Sequence, residues 1–131
     1  MGEMSERNIE LVRSGYEAFA VGDAETLMAL FDDGVEWVQP GDSAVSGTYR
    51  GKTELGEFLA ALATKAPTIT PQRFIADGDT VVVLSEASIG GDHGPSAEVY
   101  TLRDGTTVRV QVYGDTALME RHYGRKPVAA S

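Results

Sequence analysis

"TITPQRFIADGDTVVVLSEASIGGDHGPSAEVYTLRDGTTVRVQVYGD", Thr68 to Asp115, decides the fold. Three turn signals punctuate it: "DGD" at 77–79, "GGDHGP" at 90–95 and "DG" at 104–105. They separate four runs with apolar side chains at every second position, near 68–76, 80–88, 97–103 and 106–113. Consecutive strands joined by short turns predict an antiparallel meander.

Upstream the period is helical. Ile9, Val12, Tyr16, Phe19 and Ala20 recur at three and four residues, which sets them on one helix face. Gly22 is a stop signal and Asp23 a cap for a second helix carrying Leu27, Met28, Leu30 and Phe31. "DDG" at 32–34 breaks that helix, and a strand follows from Val35 to Gln39, ending at Pro40. "GDSAVSGTYRG", 41–51, reads as a loop. A third helix from Lys52 turns Leu55, Phe58, Leu59 and Leu62 inward and ends near Lys65, ahead of Pro67. A short helix from Thr116 to about His122 precedes a polar tail expected to fray. The order gives one α+β domain over 1–131, with an ordered core of about 5–122 and its helices gathered on one sheet face.

The chain of 131 residues suits one domain, and 42% hydrophobic residues suffice for its core. Without cysteine there is no disulfide and no thiolate chemistry. A net charge of -9 without a Lys/Arg cluster argues against nucleic acid and against an anionic membrane surface. The polar, acidic start and the lack of a long apolar run make a soluble cytoplasmic protein the expectation. His93 and His122, the two histidines, are far apart in sequence, so no metal site is expected. His93 falls in a turn, and His122 near a helix C-terminus, where it would offset the dipole. There is no G-x-G-x-x-G and no phosphate loop, so no cofactor is implied.

Three phrases resemble the SnoaL-like branch of the nuclear transport factor two-like superfamily: "YEAFAVGDAETLMALFDDGVEWVQPG", "YRGKTELGEFL" and "LRDGTTVRVQVYGD". The likeness runs from about Glu6 to Leu118. It implies a strongly bent antiparallel sheet wrapped around three helices, a cone with a deep apolar pocket, and a homodimer through the outer sheet face. The same cone hosts isomerases, cyclases, epoxide hydrolases, dehydratases and transport domains without activity. Where ketosteroid isomerases carry a proton-shuttling aspartate, this chain has Gln39, and an amide carries no proton near neutral pH. Their helix-one tyrosine corresponds to Tyr16, displaced by one, and their second acid to Glu98. The last-strand aspartate of cyclases and limonene epoxide hydrolase falls on Val112. The hydrolase's arginine and aspartate fall on Ser85 and Ala87.

The candidate site follows. Glu98, among small and apolar neighbours, is the acid/base candidate; the alternative is a convex-face glutamate. Gln39 and Tyr100 are candidate donors to a developing oxyanion, with Tyr16 beside them. Trp37, Tyr16, Val112 and Phe58 are expected to line a ligand pocket; for Trp37 and Tyr100 the alternative is ordinary core packing. Two functions remain. One is a cofactor-free isomerase, cyclase or lyase acting on a hydrophobic carbonyl compound. The other is a binding module that has lost the chemistry. The partners are a small hydrophobic ligand and a second copy of the chain. That copy is expected on the outer face, where Val82 and Leu84 need cover and Arg109, Gln111 and Tyr113 alternate with inward Val108, Val110 and Val112.

Overall fold

The structure, a computed structural model, describes residues 2–127. Helix α1 spans Glu3–Val21 and stops at Gly22, whose φ of 72° is the left-handed cap that glycine adopts without steric cost. Helix α2, Ala24–Ala29, is capped by the Asp23 carboxylate, which accepts from the Thr26 amide at 3.1 Å. Strand β1 is Phe31–Gln39, β2 is Gly47–Arg50 and helix α3 is Gly51–Ala63. The meander follows as β3 (Thr68–Asp77), β4 (Thr80–Ile89), β5 (Asp92–Arg103) and β6 (Thr106–Gly114), and helix α4 (Thr116–Tyr123) comes last.

The six strands form one sheet in the order β2-β1-β6-β5-β4-β3. The α+β bent-sheet architecture is as expected, with two corrections. The sheet is mixed, because β1 runs parallel to β6 while every other pair is antiparallel. The last of the four helices among the described residues is the short one expected after β6. The segment read as a loop contains β2, whose four residues are too few to show a period.

Phe31 opens β1 and does not close α2, and "DDG" lies inside the strand. There the Asp32 carboxylate accepts from the Gly34 amide at 2.8 Å, and the register against β6 shifts between Phe31 and Glu36. This bulge erases the alternation that would mark a strand. Two further shifts, at Pro71/Arg73 in β3 and Thr101/Leu102 in β5, bend the sheet. The bulge opposite Leu102 turns Thr107 inward, so Thr107 is buried and Val108 only half-buried, not the regular inward position expected. Strand β5 also begins earlier than expected. The turn is confined to Gly90 and Gly91, both at positive φ, and Pro95 already pairs with Glu86. Pro95 is tolerated because β6 reaches only to Ser96, so its missing N–H faces no partner strand.

The concave face holds the core. Val35, Leu55, Phe58, Val81, Val83 and Val110 are all essentially inaccessible to solvent. On the convex face Ile75, Leu84 and Tyr113 remain 41%, 38% and 61% exposed. The tail is less loose than expected: the Ala44 amide donates to the Gly124 carbonyl and the Lys126 amide to that of Asp42, both at 2.8 Å. Its last residues, 128–131, lie outside the described residues.

Candidate functional site

Strand register builds the site. On the concave face one row runs Trp37 (β1), Val110 (β6), Tyr100 (β5), Val81 (β4). In the next, Val112 pairs with Glu98 and Glu98 with Val83. Continuing the β1–β6 register by one residue from Val38 and Gln111 sets Gln39 beside Val112. A third row holds Gly114, Ser96 and Ser85. Trp37, Gln39, Glu98, Tyr100 and Val112 therefore converge on one cavity of about 120 Å³, with Tyr16 entering from α1. Phe58, expected on that wall, sits one layer back, tilted against the Trp37 ring at 5.4 Å and the Tyr49 ring at 4.6 Å. From α3 it is Leu59 and Leu62 that reach the cavity.

Glu98 faces inward and is only 5% exposed. The Tyr16 hydroxyl donates to its Oε1 at 2.5 Å, the Ser85 hydroxyl donates to the same oxygen at 2.9 Å, and the Ser96 hydroxyl donates to Oε2. Tyr100 in turn donates to the Tyr16 oxygen at 3.0 Å. Each carboxylate oxygen accepts about two hydrogen bonds. Oε1 is thus saturated within the protein, and Oε2 retains one acceptor site.

This arrangement corrects the role expected for the phenols. Both phenolic protons are committed inside the cluster, Tyr100 to Tyr16 and Tyr16 to Glu98, so neither is free for an oxyanion. Burial raises the pKa of Tyr16, and the neighbouring Tyr100 and the Glu98 charge raise it further. Burial likewise raises that of Tyr100, again with help from Glu98. Both therefore stay protonated across the physiological range.

Trp37 and Gln39 form a pair. The indole Nε1–H donates to the Gln39 Oε1 at 3.1 Å. An indole N–H only donates, so the amide oxygen is held by the ring, and the Nε2 group is left as the donor for the cavity. No Lys, Arg or His occurs among the described residues that line the cavity, whereas Glu98 and Asp115 both do.

Ser85, Ser96, Asp115 and the α4 residues Leu118 and Met119 were not singled out as site residues from sequence. The serine pair is recognisable only once the β4–β5 register is known, since Ser85 and Ser96 are cross-strand partners. Asp115 also caps α4, accepting from the Leu118 amide at 3.0 Å. His122 sits in the last turn of α4, as expected, but its Nε2 lies 2.7 Å from Asp92, which ties the helix to the β4–β5 hairpin. His93 is an exposed neighbour of Glu86. Among the described residues no group of three or more potential ligands could hold a metal, and no helix is long and apolar enough to cross a membrane.

The six-stranded cone with a pocket on its concave face defines a class, and sequence comparison places the chain within it. Residues 12–115 match the SnoaL-like domain, and the chain belongs to that family. No protein of curated function matches the sequence. Among solved structures, Bal32a, from a soil-derived mobile gene cassette, is similar with a TM-score of 0.84 at 22% identity, covering 94% of this chain and 100% of its own. TerC, co-crystallised with polyporic acid, is 29% identical with a TM-score of 0.80, covering 89% and 98%. A nuclear transport factor two-like protein of unknown function from Burkholderia pseudomallei is 27% identical with a TM-score of 0.82, covering 89% and 97%.

Proposed function

We propose that the protein binds a small hydrophobic carbonyl compound in the concave cavity and moves a proton on it without a cofactor, with Glu98 as the base and then the acid. The observation that carries this is a buried carboxylate on an apolar wall, fixed by three hydroxyls and still able to accept at Oε2. The Gln39 Nε2–H groups are the donors to the substrate carbonyl as it gains negative charge. Oε2 takes the proton, the electron pair it leaves moves toward the carbonyl oxygen, and the protonated Glu98 returns the proton at a second position. The co-crystallisation of TerC with polyporic acid supports a small-molecule occupant.

The test is solvent exchange. With a panel of small ketones in heavy water, the wild type should wash deuterium into the position beside the carbonyl. Glu98→Gln should abolish exchange while ligand affinity persists. Ligand binding without exchange in the wild type would leave the binding module as the function. That rival has its own support in the amide at Gln39 and the valine at Val112, where related enzymes use carboxylates.

The assembly we propose is a homodimer through the convex face. There Ile75 pairs with Val82, Val82 with Val99, and Leu84 with Ala97, which itself pairs with Tyr113, giving an apolar band across four strands. Uncovered apolar bands of this kind usually mark an interface. Light scattering at high concentration should return twice the chain mass; the mass of one chain would refute the dimer.

A further inference from the structure

The polar groups of the cavity are segregated by hydrogen-bonding sense. At the β5 end every group accepts: Glu98 Oε2 has one site left, and the Tyr100 oxygen, having donated its proton, keeps its lone pairs. At the β1 end the indole N–H holds the Gln39 oxygen by one of its lone pairs, and the amide N–H groups are the donors left for a ligand. Between the two ends lies Val112, an apolar spacer. Gln39 and Glu98 stand two strands apart, about 10 Å between backbones. Their side chains therefore converge on opposite edges of an object about one ring wide. The volume agrees: about 120 Å³ is close to the roughly 150 Å³ of an apolar cavity that accepts benzene.

Charge narrows the ligand further. Two carboxylates and no cation line the cavity among the described residues. An anionic ligand would lose its hydration and face like charge with nothing to offset it. We infer that the cavity selects an uncharged, single-ring hydroxy-carbonyl compound, with its hydroxyl hydrogen on Glu98 Oε2 and its carbonyl oxygen on Gln39 Nε2, and rejects carboxylates of the same shape. This rests on the small-molecule reading of the cavity and adds the ligand class. The hydroxyl is the one an enol or phenol offers, so the group held by Glu98 also carries the transferable proton.

Four probes of nearly one shape separate the terms: 4-hydroxyacetophenone, 4-methoxyacetophenone, acetophenone and 4-acetylbenzoate. Calorimetry at about pH 6 keeps the phenol neutral and the benzoate charged. The chain has one tryptophan, so the indole N–H resonance of Trp37 reports occupancy at the Gln39 end. We expect the hydroxy ketone to bind at least about tenfold more tightly than acetophenone or the methyl ether, because a hydrogen bond to a charged acceptor is gained or blocked. The benzoate should show no binding. Glu98→Gln replaces one acceptor by an N–H donor and removes the charge. It should erase the hydroxyl preference and admit the benzoate; an unchanged thermal unfolding profile establishes that the variant is folded. Equal affinity for the phenol and its ether, or binding of the benzoate to the wild type, would overturn the ligand class and leave the pocket standing. Silence from all four, with the indole resonance unmoved, would overturn the pocket reading itself.

Discussion

Glu98 carries three hydroxyl hydrogens on two oxygens, and that count sets what each neighbour is for. Removing Ser85, whose buried hydroxyl has Glu98 as its partner, should cost about 1–3 kcal/mol of stability by leaving Oε1 under-satisfied. Chemical denaturation of Ser85→Ala measures this, and a change within error would show that the serine is idle. The two phenols give a pH signature. Their folded pKa values are raised, by burial first, above the ordinary 10.0. Their contribution is intact below that value. As pH rises past it, the unfolded chain releases phenolic protons that the folded chain keeps, so stability falls by up to about 1.4 kcal/mol per pH unit for each phenol. The alkaline limb of a stability–pH curve should therefore be shallower in Tyr16→Phe than in the wild type. Two-residue spacing set Trp37 with Gln39, and Glu98 with Tyr100, on one strand face each; that these faces line a pocket came from the family resemblance, and for Glu98 the convex face stayed open. Ser85 and Ser96 were not legible, because a serine in a strand carries no signal until its partner across the ladder is known.

Among the elements, α4 is the most conditionally held. Its second half is fastened by the His122–Asp92 contact, by an ion pair from Arg121 to Asp92 at 3.5 Å, and by the Tyr123 hydroxyl on the Leu62 carbonyl. The hydrogen bond from His122 lowers the Asp92 pKa below its ordinary 3.8, with Arg121 helping. This fastening is therefore complete above pH of about 4 and is lost as pH falls through the lower folded value. Amide hydrogen exchange in α4 should accelerate in Asp92→Asn at neutral pH while exchange in β4 stays slow; uniform protection in both proteins would refute the fastening. At the start of the same helix, Gly41 has φ of 91°, and a Cβ there would meet Thr116 Cγ2 at 2.8 Å. Gly41→Ala should lower the melting temperature by several degrees. The helices and the four meander strands were readable as periods of 3.6 and two. Strand β2 and the start of β1 were not, one for brevity and one because its bulge spoils the alternation.

For the whole molecule, the dimer proposed above places the convex band at its interface. Leu84→Lys puts a charge at its centre, where Leu84 lies opposite Ala97 and Arg73. If the proposed dimer forms, sedimentation of this variant should show single chains at concentrations where the wild type sediments as a pair, with the far-ultraviolet spectrum unchanged. The two faces differ in what the sequence could say of them. Alternation alone told Val81 and Val83 from Val82 and Leu84, because a run apolar on both faces demands two burials. It could not say that the last strand lies parallel to the first, since that pairing depends on where a loop and a helix return the chain.

That parallel seam has a consequence for how the molecule is made. Strands β3 to β6 are neighbours in sequence and can zip by short hairpins, whereas Trp37 must wait for Val110. On the ribosome β1 emerges well before β6, so it waits with one edge bare while the meander is made. The seam closes late, after the meander has paid for its own order. Val35→Ala, in β1, should then chiefly hasten unfolding, while Val83→Ala, inside the hairpins, should chiefly slow refolding. Stopped-flow rates for the two variants decide it, and the reverse pattern would mean that β1 and β6 meet first.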